Sequence, residues 1–174
     1  MPKVKLILFF SVTFFVSCGT YKPKYLNEED KNIHINPYES EVEKRFYLIG
    51  DAGLGASQNG ALRVFEQFVE GKDTQDDYLI YLGDNIYPSG LPAKGEKGRE
   101  DAVTQLRAQT DVSRFFDGKV LFIPGNHDWY TDGVKGLKRQ EKYVEDALGD
   151  DDAFQPENGC PIEDFEITDN VALL

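Results

Sequence analysis

Three short apolar runs each end in a glycine followed by a side chain that can bind a cation through oxygen. Arg45-Phe46-Tyr47-Leu48-Ile49 runs into Gly50-Asp51, Tyr78-Leu79-Ile80-Tyr81-Leu82 into Gly83-Asp84, and Val120-Leu121-Phe122-Ile123 into Pro124-Gly125-Asn126. Two carboxylates and an amide gathered at one edge make an oxygen-rich site for divalent or trivalent cations. The glycines permit sharp turns and close approach of backbone to a bound group. One Gly-Asp arises easily by chance, whereas three at the ends of successive strands point to a site. The same aspartates would also suit the N-caps of following helices, and a capping aspartate can still be a ligand. His127 and Asp128 follow Asn126 directly. A histidine that titrates near neutral pH suits a general acid, and Asp128 is in position to orient it.

The segments Gly50-Asp51-Ala52-Gly53, Gly83-Asp84-Asn85-Ile86-Tyr87 and Gly125-Asn126-His127-Asp128 resemble, in order, the first three signatures of the calcineurin-like metallophosphoesterases. The resemblance is closest to the purple acid phosphatase-like branch, through Gly53 after the first aspartate and Tyr87 after the second. Spacings of about 33 and 42 residues between the ligands suit the family, and the resemblance covers roughly Arg45 to Leu174. It implies a centre of two metal ions. Asp51 and Tyr87 would bind the first, often ferric iron in this branch. Asp84 would bridge the two, and Asn126 would bind the second, commonly zinc, iron or manganese. His127 would not be a ligand but would contact the phosphate or protonate the leaving oxygen. Two cations roughly 3.5–4 Å apart clamp a phosphoryl group and acidify a bound water. The implied reaction is hydrolysis of phosphate esters.

The family's later signatures add three histidine ligands, two of them in a Gly-His-x-His segment. This chain has two histidines, His34 and His127, and His34 reads as a solvated residue of a linker. The sequence is therefore expected to be the N-terminal part of a longer domain, or a degenerate member, with little or no turnover of its own. Cys160 is left open between a disulfide to a cysteine beyond Leu174 and a free thiol.

The apolar runs are continuous, as in strands buried on both faces of a parallel sheet. Between them, Ala61, Leu62, Phe65, Phe68 and Val69 fall at helical spacing, and Ala102, Val103, Leu106, Val112 and Phe115 do so more loosely. Val134, Leu137, Tyr143, Val144 and Leu148 predict a third helix. The order is βαβαβα, an α/β fold with an open parallel sheet and right-handed crossovers. Ligands in such sheets gather at the carboxyl ends of the strands. By the resemblance, this βαβαβ unit forms the first half of a two-sheet sandwich flanked by helices. Phe165 to Leu174 alternates weakly and predicts a strand, either cut short or docked on the same sheet. Asp150 to Asp152 lack the ligand spacing of a calcium loop and read as a solvated turn.

The residues before the fold have a different character. Lys3 and Lys5 precede an apolar stretch from Leu6 to Val16, followed by small residues, which makes residues 1–17 a secretory signal. Phe15-Val16-Ser17-Cys18 resembles a bacterial lipobox, with Cys18 lipidated as the new N-terminus. Residues 18–43 are polar and read as a linker, and residues 44–174 as the phosphoesterase domain. This predicts a lipid-anchored protein of the bacterial envelope, at the outer membrane or periplasmic face of a Gram-negative cell. The net charge of -12 repels phosphate backbones and argues against nucleic acid as a partner. At 40% hydrophobic residues the body is globular. Two well-separated cysteines argue against a zinc ribbon or a thioredoxin-like motif. Gly53-Leu54-Gly55 begins like a dinucleotide fingerprint but has Gln58 at the third glycine position, and neither a P-loop nor a Gly-x-Ser-x-Gly is present. The remaining rival is a non-catalytic lipoprotein with a structural or vestigial metal site.

Overall fold

The computed structural model describes residues 42–54, 60–71, 74–159, 165–168 and 171–173, with side chains described as far as 159. Three strands, β1 (Phe46–Ile49), β2 (Tyr78–Tyr81) and β3 (Lys119–Phe122), pair in parallel in the order β1-β2-β3. The helix α1 (Gly60–Val69) connects the first two and α2 (Arg99–Ser113) the next two. The register aligns Ile49 with Tyr81 and Tyr81 with Phe122. All three chains therefore leave the sheet at the same level, as the α/β reading requires.

The register also sorts side chains by face, because successive residues of a strand point to opposite sides. Tyr47, Ile49, Leu79, Tyr81, Val120 and Phe122 share one face and join a core with Leu62 and Val69 of α1 and Ala102 and Leu106 of α2. Tyr81 and Phe122 stack at 4.2 Å, and Tyr47 meets Phe65 and Phe116 edge-on at 5.7 and 5.6 Å. Burying each such ring contributes on the order of 2 kcal/mol or more. On the opposite face Ile80 and Leu121 are buried, while Leu48 stands 58% exposed on the outer strand. Buried Asp77 fixes the strand starts. Its carboxylate accepts the Arg45 and Thr74 N–H groups at 2.9 Å each, and its carbonyl accepts the Lys119 N–H at 2.9 Å.

The helices depart from simple amphipathic stripes in ways the packing explains. Phe68, expected inward on α1, is 56% exposed and meets Tyr47 edge-on at 6.4 Å. Phe115 lies beyond the end of α2 and is 69% exposed. On α2 the buried positions are instead Ala102, Leu106, Gln109, Thr110 and Ser113. This face is polar because it meets polar groups: the Tyr81 hydroxyl donates to Gln109 O at 3.2 Å and lies 3.1 Å from Ser113 Oγ. The third helix, α3 (Val134–Leu148), buries Leu137, Gln140 and Val144, and leaves Val134 at its first turn 43% exposed. Gly149 stops it in the left-handed conformation, φ 72°, donating its N–H to Glu145 O.

Beyond α3, Phe154 forms a parallel bridge with Phe122 and so covers the free edge of β3. The C-terminal apolar run does not extend this sheet. It forms β4 (Phe165–Thr168) and β5 (Val171–Leu173), which pair antiparallel as a separate two-stranded sheet. The expected signal segment, the linker with Cys18 and His34, and Cys160 lie outside the described residues. No helix among the described residues is long and apolar enough to cross a membrane.

One carboxylate on α3 is electrostatically frustrated. Partial burial and then the charges of Glu141, Asp151, Glu157 and Asp146 push the Glu145 carboxyl up to about 7. A raised carboxyl favours the folded state in its protonated form. That contribution is complete below the unfolded value near 4.5 and is lost as pH rises through about 7. Glu145→Gln is expected to be more stable than the parent at pH 8, by on the order of 1 kcal/mol after solvent screening. The two proteins should converge at pH 4. Urea midpoints at both pH values test this, and a gap of equal size at the two would refute the assignment.

Candidate metal centre

The loops after the first and third strands deliver one candidate ligand each, Asp51 and Asn126, and the loop after the second delivers two, Asp84 and Tyr87. The ladder guides them by continuing one residue past the strands. The Leu82 N–H bonds Ile49 O at 2.8 Å and the Ile123 N–H bonds Tyr81 O at 2.9 Å. The loops then bond to each other, Asp51 N–H to Gly83 O and Gly53 N–H to Asp84 O, both at 3.2 Å. Asp51 and Asp84 both sit at φ 54°. That left-handed region is tolerated by Asp better than by most residues, and strain of this kind concentrates at functional sites. Neither aspartate caps a helix. The N-cap of α2 is Gly98, and α1 begins nine residues after Asp51.

Two glycines make the convergence sterically possible. Gly83 has φ +100°, and a Cβ there would lie 2.5 Å from Gly125 N. A Cβ on Gly125 would in turn collide with the amide nitrogen and Oδ1 of Asp84. Side chains at either position would drive the second and third loops apart.

The Tyr87 hydroxyl lies 2.5 Å from Asp51 Oδ1 and 2.9 Å from Asp84 Oδ2. Its hydrogen bond to Asp51, then burial, then Asp84 hold its proton far above the ordinary tyrosine range. A phenol has one proton to donate, so it satisfies one carboxylate at a time. Three oxygens packed this closely match what a cation would otherwise hold together. Asp84 Oδ1 points elsewhere and accepts the His127 N–H at 3.0 Å. The carboxylate thus meets the Tyr87 hydroxyl of its own loop with one oxygen and the third loop with the other. Asn126 is exposed and donates its amide nitrogen to Tyr130 Oη at 2.6 Å, which leaves its oxygen as the remaining donor. Among the described residues no group of three or more His, Cys, Asp or Glu side chains is arranged to hold a metal ion by itself. The groups brought together are two carboxylates and a phenol, with the Asn126 amide on the adjoining third loop.

His127 is half-buried, with its ring between those of Tyr87 (4.4 Å) and Tyr130 (4.9 Å). Its Nδ1 lies 2.7 Å from Pro88 O. A carbonyl oxygen only accepts, so Nδ1 is the donor in this contact and Nε2 takes no part in it.

Asp128 was expected to orient that ring, and its contacts are different. The side chain is fully buried and accepts backbone N–H groups from Gly125 at 2.7 Å, Ile86 at 3.1 Å and Asn85 at 3.2 Å. Burial pushes this carboxyl up, while those backbone donors pull it down. Its contact is with the loop carrying Asp84, and the ring is held by Pro88 instead.

The sequence reading passed over Tyr130, the Pro88 carbonyl, Gln105 and Gln109. Tyr130 was findable, since residues three and four apart in a helical turn are neighbours, which relates it to His127 and Asn126. Beside Tyr87 a cleft of about 560 Å³ is lined by Pro88, Ser89, Lys97, Thr104 and Gln105 among others.

Replacing Asp128 by Ala strands three backbone donors. Asp128→Ala is expected to lose about 3 kcal/mol of stability and Asp128→Asn less, because the amide oxygen still accepts. Chemical denaturation of both variants tests this. A loss below about 1 kcal/mol for Asp128→Ala would restore an orienting role as the better account.

Residues 44–168 match the family model of the calcineurin-like phosphoesterases, which is more than half of the chain. Two relatives from Arabidopsis thaliana are similar. Purple acid phosphatase 17 is 25% identical over 103 residues, covering 59% of this chain and 29% of the relative. Purple acid phosphatase 7 is 25% identical over 124 residues, covering 71% of this chain and 35% of the relative. The chain thus spans about a third of the length of the curated relatives it matches. No solved structure gives a significant match. Family members typically bind two metal ions, and a fold that brings two aspartates and a tyrosine together at the carboxyl end of a parallel sheet is in keeping with that match: the chain belongs to the calcineurin-like phosphoesterase family, on its purple acid phosphatase-like branch.

Proposed function

We propose that this edge of the sheet serves in the hydrolysis of phosphate esters, with metal ions held in part by Asp51, Tyr87, Asp84 and Asn126. The observation that carries the reading is the convergence of the Tyr87 hydroxyl on Asp51 and Asp84, at 2.5 and 2.9 Å. Bound cations would supply charge for the phosphoryl oxygens and acidity for a water nucleophile. Iron in the first position, with zinc, manganese or iron in the second, suits a phenolate paired with harder oxygen donors.

The chain's own residues have separable tasks in this reading. Asp84, between Tyr87 and the third loop, would be the residue shared by the two metal positions. Asn126 serves the second, and its amide is kept in orientation by Tyr130. His127 would be the acid: with Nδ1 bonded to Pro88 O, Nε2 is the nitrogen through which it would pass a proton to a departing alkoxide. The cleft beside Tyr87 offers room for the organic part of an ester. Four donors are fewer than two cations need, so water, substrate or donors beyond this set complete the coordination. Turnover by the chain as it stands is accordingly expected to be weak.

The segment ending in Cys18 supports a lipid anchor and a place in the bacterial envelope. Cys18→Ser is expected to abolish incorporation of radiolabelled palmitate in an expressing bacterium and to release the protein from membranes. Unchanged labelling would refute the anchor.

The metal reading is tested by metal content after reconstitution with iron and zinc. Asp84→Ala should retain less than about a tenth of the bound metal. Asp150→Ala, altered in an exposed turn where Asp150 Oδ1 accepts only the Asp152 N–H, should match the parent. Equal content in the two variants would sink the proposal.

A further inference from the structure

The buried face of α2 contains two glutamines where a helix packed on a sheet would ordinarily place aliphatic residues. Gln105 and Gln109 are four residues apart and so share that face. Gln105 lays its amide against the backbone of one residue. Its Oε1 accepts the Tyr87 N–H at 2.7 Å and its Nε2 donates to Tyr87 O at 2.7 Å. Gln109, with no exposed surface, donates from Nε2 to Asn85 O at 2.8 Å and to Gln105 O at 3.0 Å. Its own Oε1 is buried with no hydrogen-bond partner. A leucine would fill that place without desolvating an amide, so the glutamine is not there for packing alone. Two successive points of one loop, Asn85 and Tyr87, are thus held to a single rigid helix.

Resting on the metal reading above, we propose that Gln105 and Gln109 are positioning residues for the Tyr87 phenol. The loop leaving Asp84 has no regular secondary structure to hold it. A ligand atom must nevertheless be fixed to within about half an ångström to bind a metal well. Gln105 occupies both hydrogen-bonding groups of the Tyr87 backbone, which leaves the ring to turn only about its own side-chain bonds. The ring's direction is then set by Pro88 O holding the neighbouring His127 and by the 4.4 Å ring contact. Gln109 fixes the peptide two residues earlier. The helix α2 therefore determines how far the phenol oxygen reaches towards Asp51 and Asp84. Gln105 also lines the cleft beside Tyr87, so the residue that places the ligand adjoins the space where an ester group would sit.

The test uses ferric ion as the probe and the full chain as the protein. A phenolate bound to ferric iron absorbs visible light, and the intensity at saturation reports how well the phenol oxygen reaches the metal. The parent should show a saturable band that Tyr87→Phe lacks. Gln105→Leu is expected to weaken ferric binding about tenfold, the effect of two lost hydrogen bonds, and to shift or diminish the band at saturation. Gln105→Glu keeps an acceptor for the Tyr87 N–H and should fall between the two. In the Tyr87→Phe background, Gln105→Leu should have no further effect on metal affinity. If Gln105→Leu lowers only the thermal midpoint and leaves band and affinity unchanged, the positioning role is overturned while the metal reading stands. If the parent itself binds no ferric iron, the metal reading falls and this inference with it. Should Gln105→Leu fail to fold, Gln105→Glu, close to it in volume, decides by the same band and affinity.

Discussion

Two carboxylates reach across the gap between the second and third loops in opposite directions, and the site depends on this exchange. Asp84 on the second loop accepts the His127 N–H of the third at 3.0 Å. Asp128 on the third accepts the Asn85 and Ile86 N–H groups of the second at 3.2 and 3.1 Å. Each loop thus satisfies backbone donors of the other that would otherwise be left unpaired. The interaction is strong because the Asp128 end is fully buried, where a charged acceptor is worth more than at the surface and its loss costs more. Without it, the loops carrying Asp84 and Asn126 would lose three of the hydrogen bonds that tie them together.

The scaffold below this clasp has a simpler logic. Parallel pairing with aligned ends brings three chains to one level. The apolar face of the sheet then draws α1 and α2 together through a shared core. Gly83 and Gly125 let the loops close to a distance that no side chain would permit. Rigid strands end where flexible loops begin, and the loops are stiffened by hydrogen bonds to one another and to α2. A site assembled this way places its candidate ligands on irregular backbone, yet each is within a few residues of a regular element.

Charge is arranged unevenly around this frame. The chain carries a net charge of -12, and the carboxylates of Glu141, Glu145 and Asp146 crowd the exposed side of α3. At the sheet edge the same sign of charge is concentrated on purpose-built geometry, with Asp51 and Asp84 both reaching Tyr87. The first crowd is relieved by solvent and by proton uptake. The second is relieved by a phenolic proton, and in the proposed function by cations.

Much of this was legible in the sequence. Continuous apolar runs ending in Gly-Asp, Gly-Asp and Gly-Asn announced a parallel sheet with turns at one edge. The central and third strands are buried on both faces, and only the outer strand, with Phe46 and Leu48 exposed, departs from that expectation. The resemblance to the family singled out Asp51, Asp84, Tyr87 and Asn126 as candidate ligands, and the fold places each of them within a few residues of a strand end. What the sequence alone could not decide was direction. Asp128 adjoins His127 in the chain, but its carboxylate is buried against the second loop, a choice that depends on residues 42 and 43 positions away. The inward face of α2 looked like a loose aliphatic stripe, yet Gln105 and Gln109 occupy it because the groups opposite are the backbone of the Asp84–Tyr87 loop. Hydrophobic periodicity records which positions are buried against apolar partners, and it is blind to polar groups buried against polar ones. Those pairings exist only once the chain has folded, and only the tertiary structure decided them.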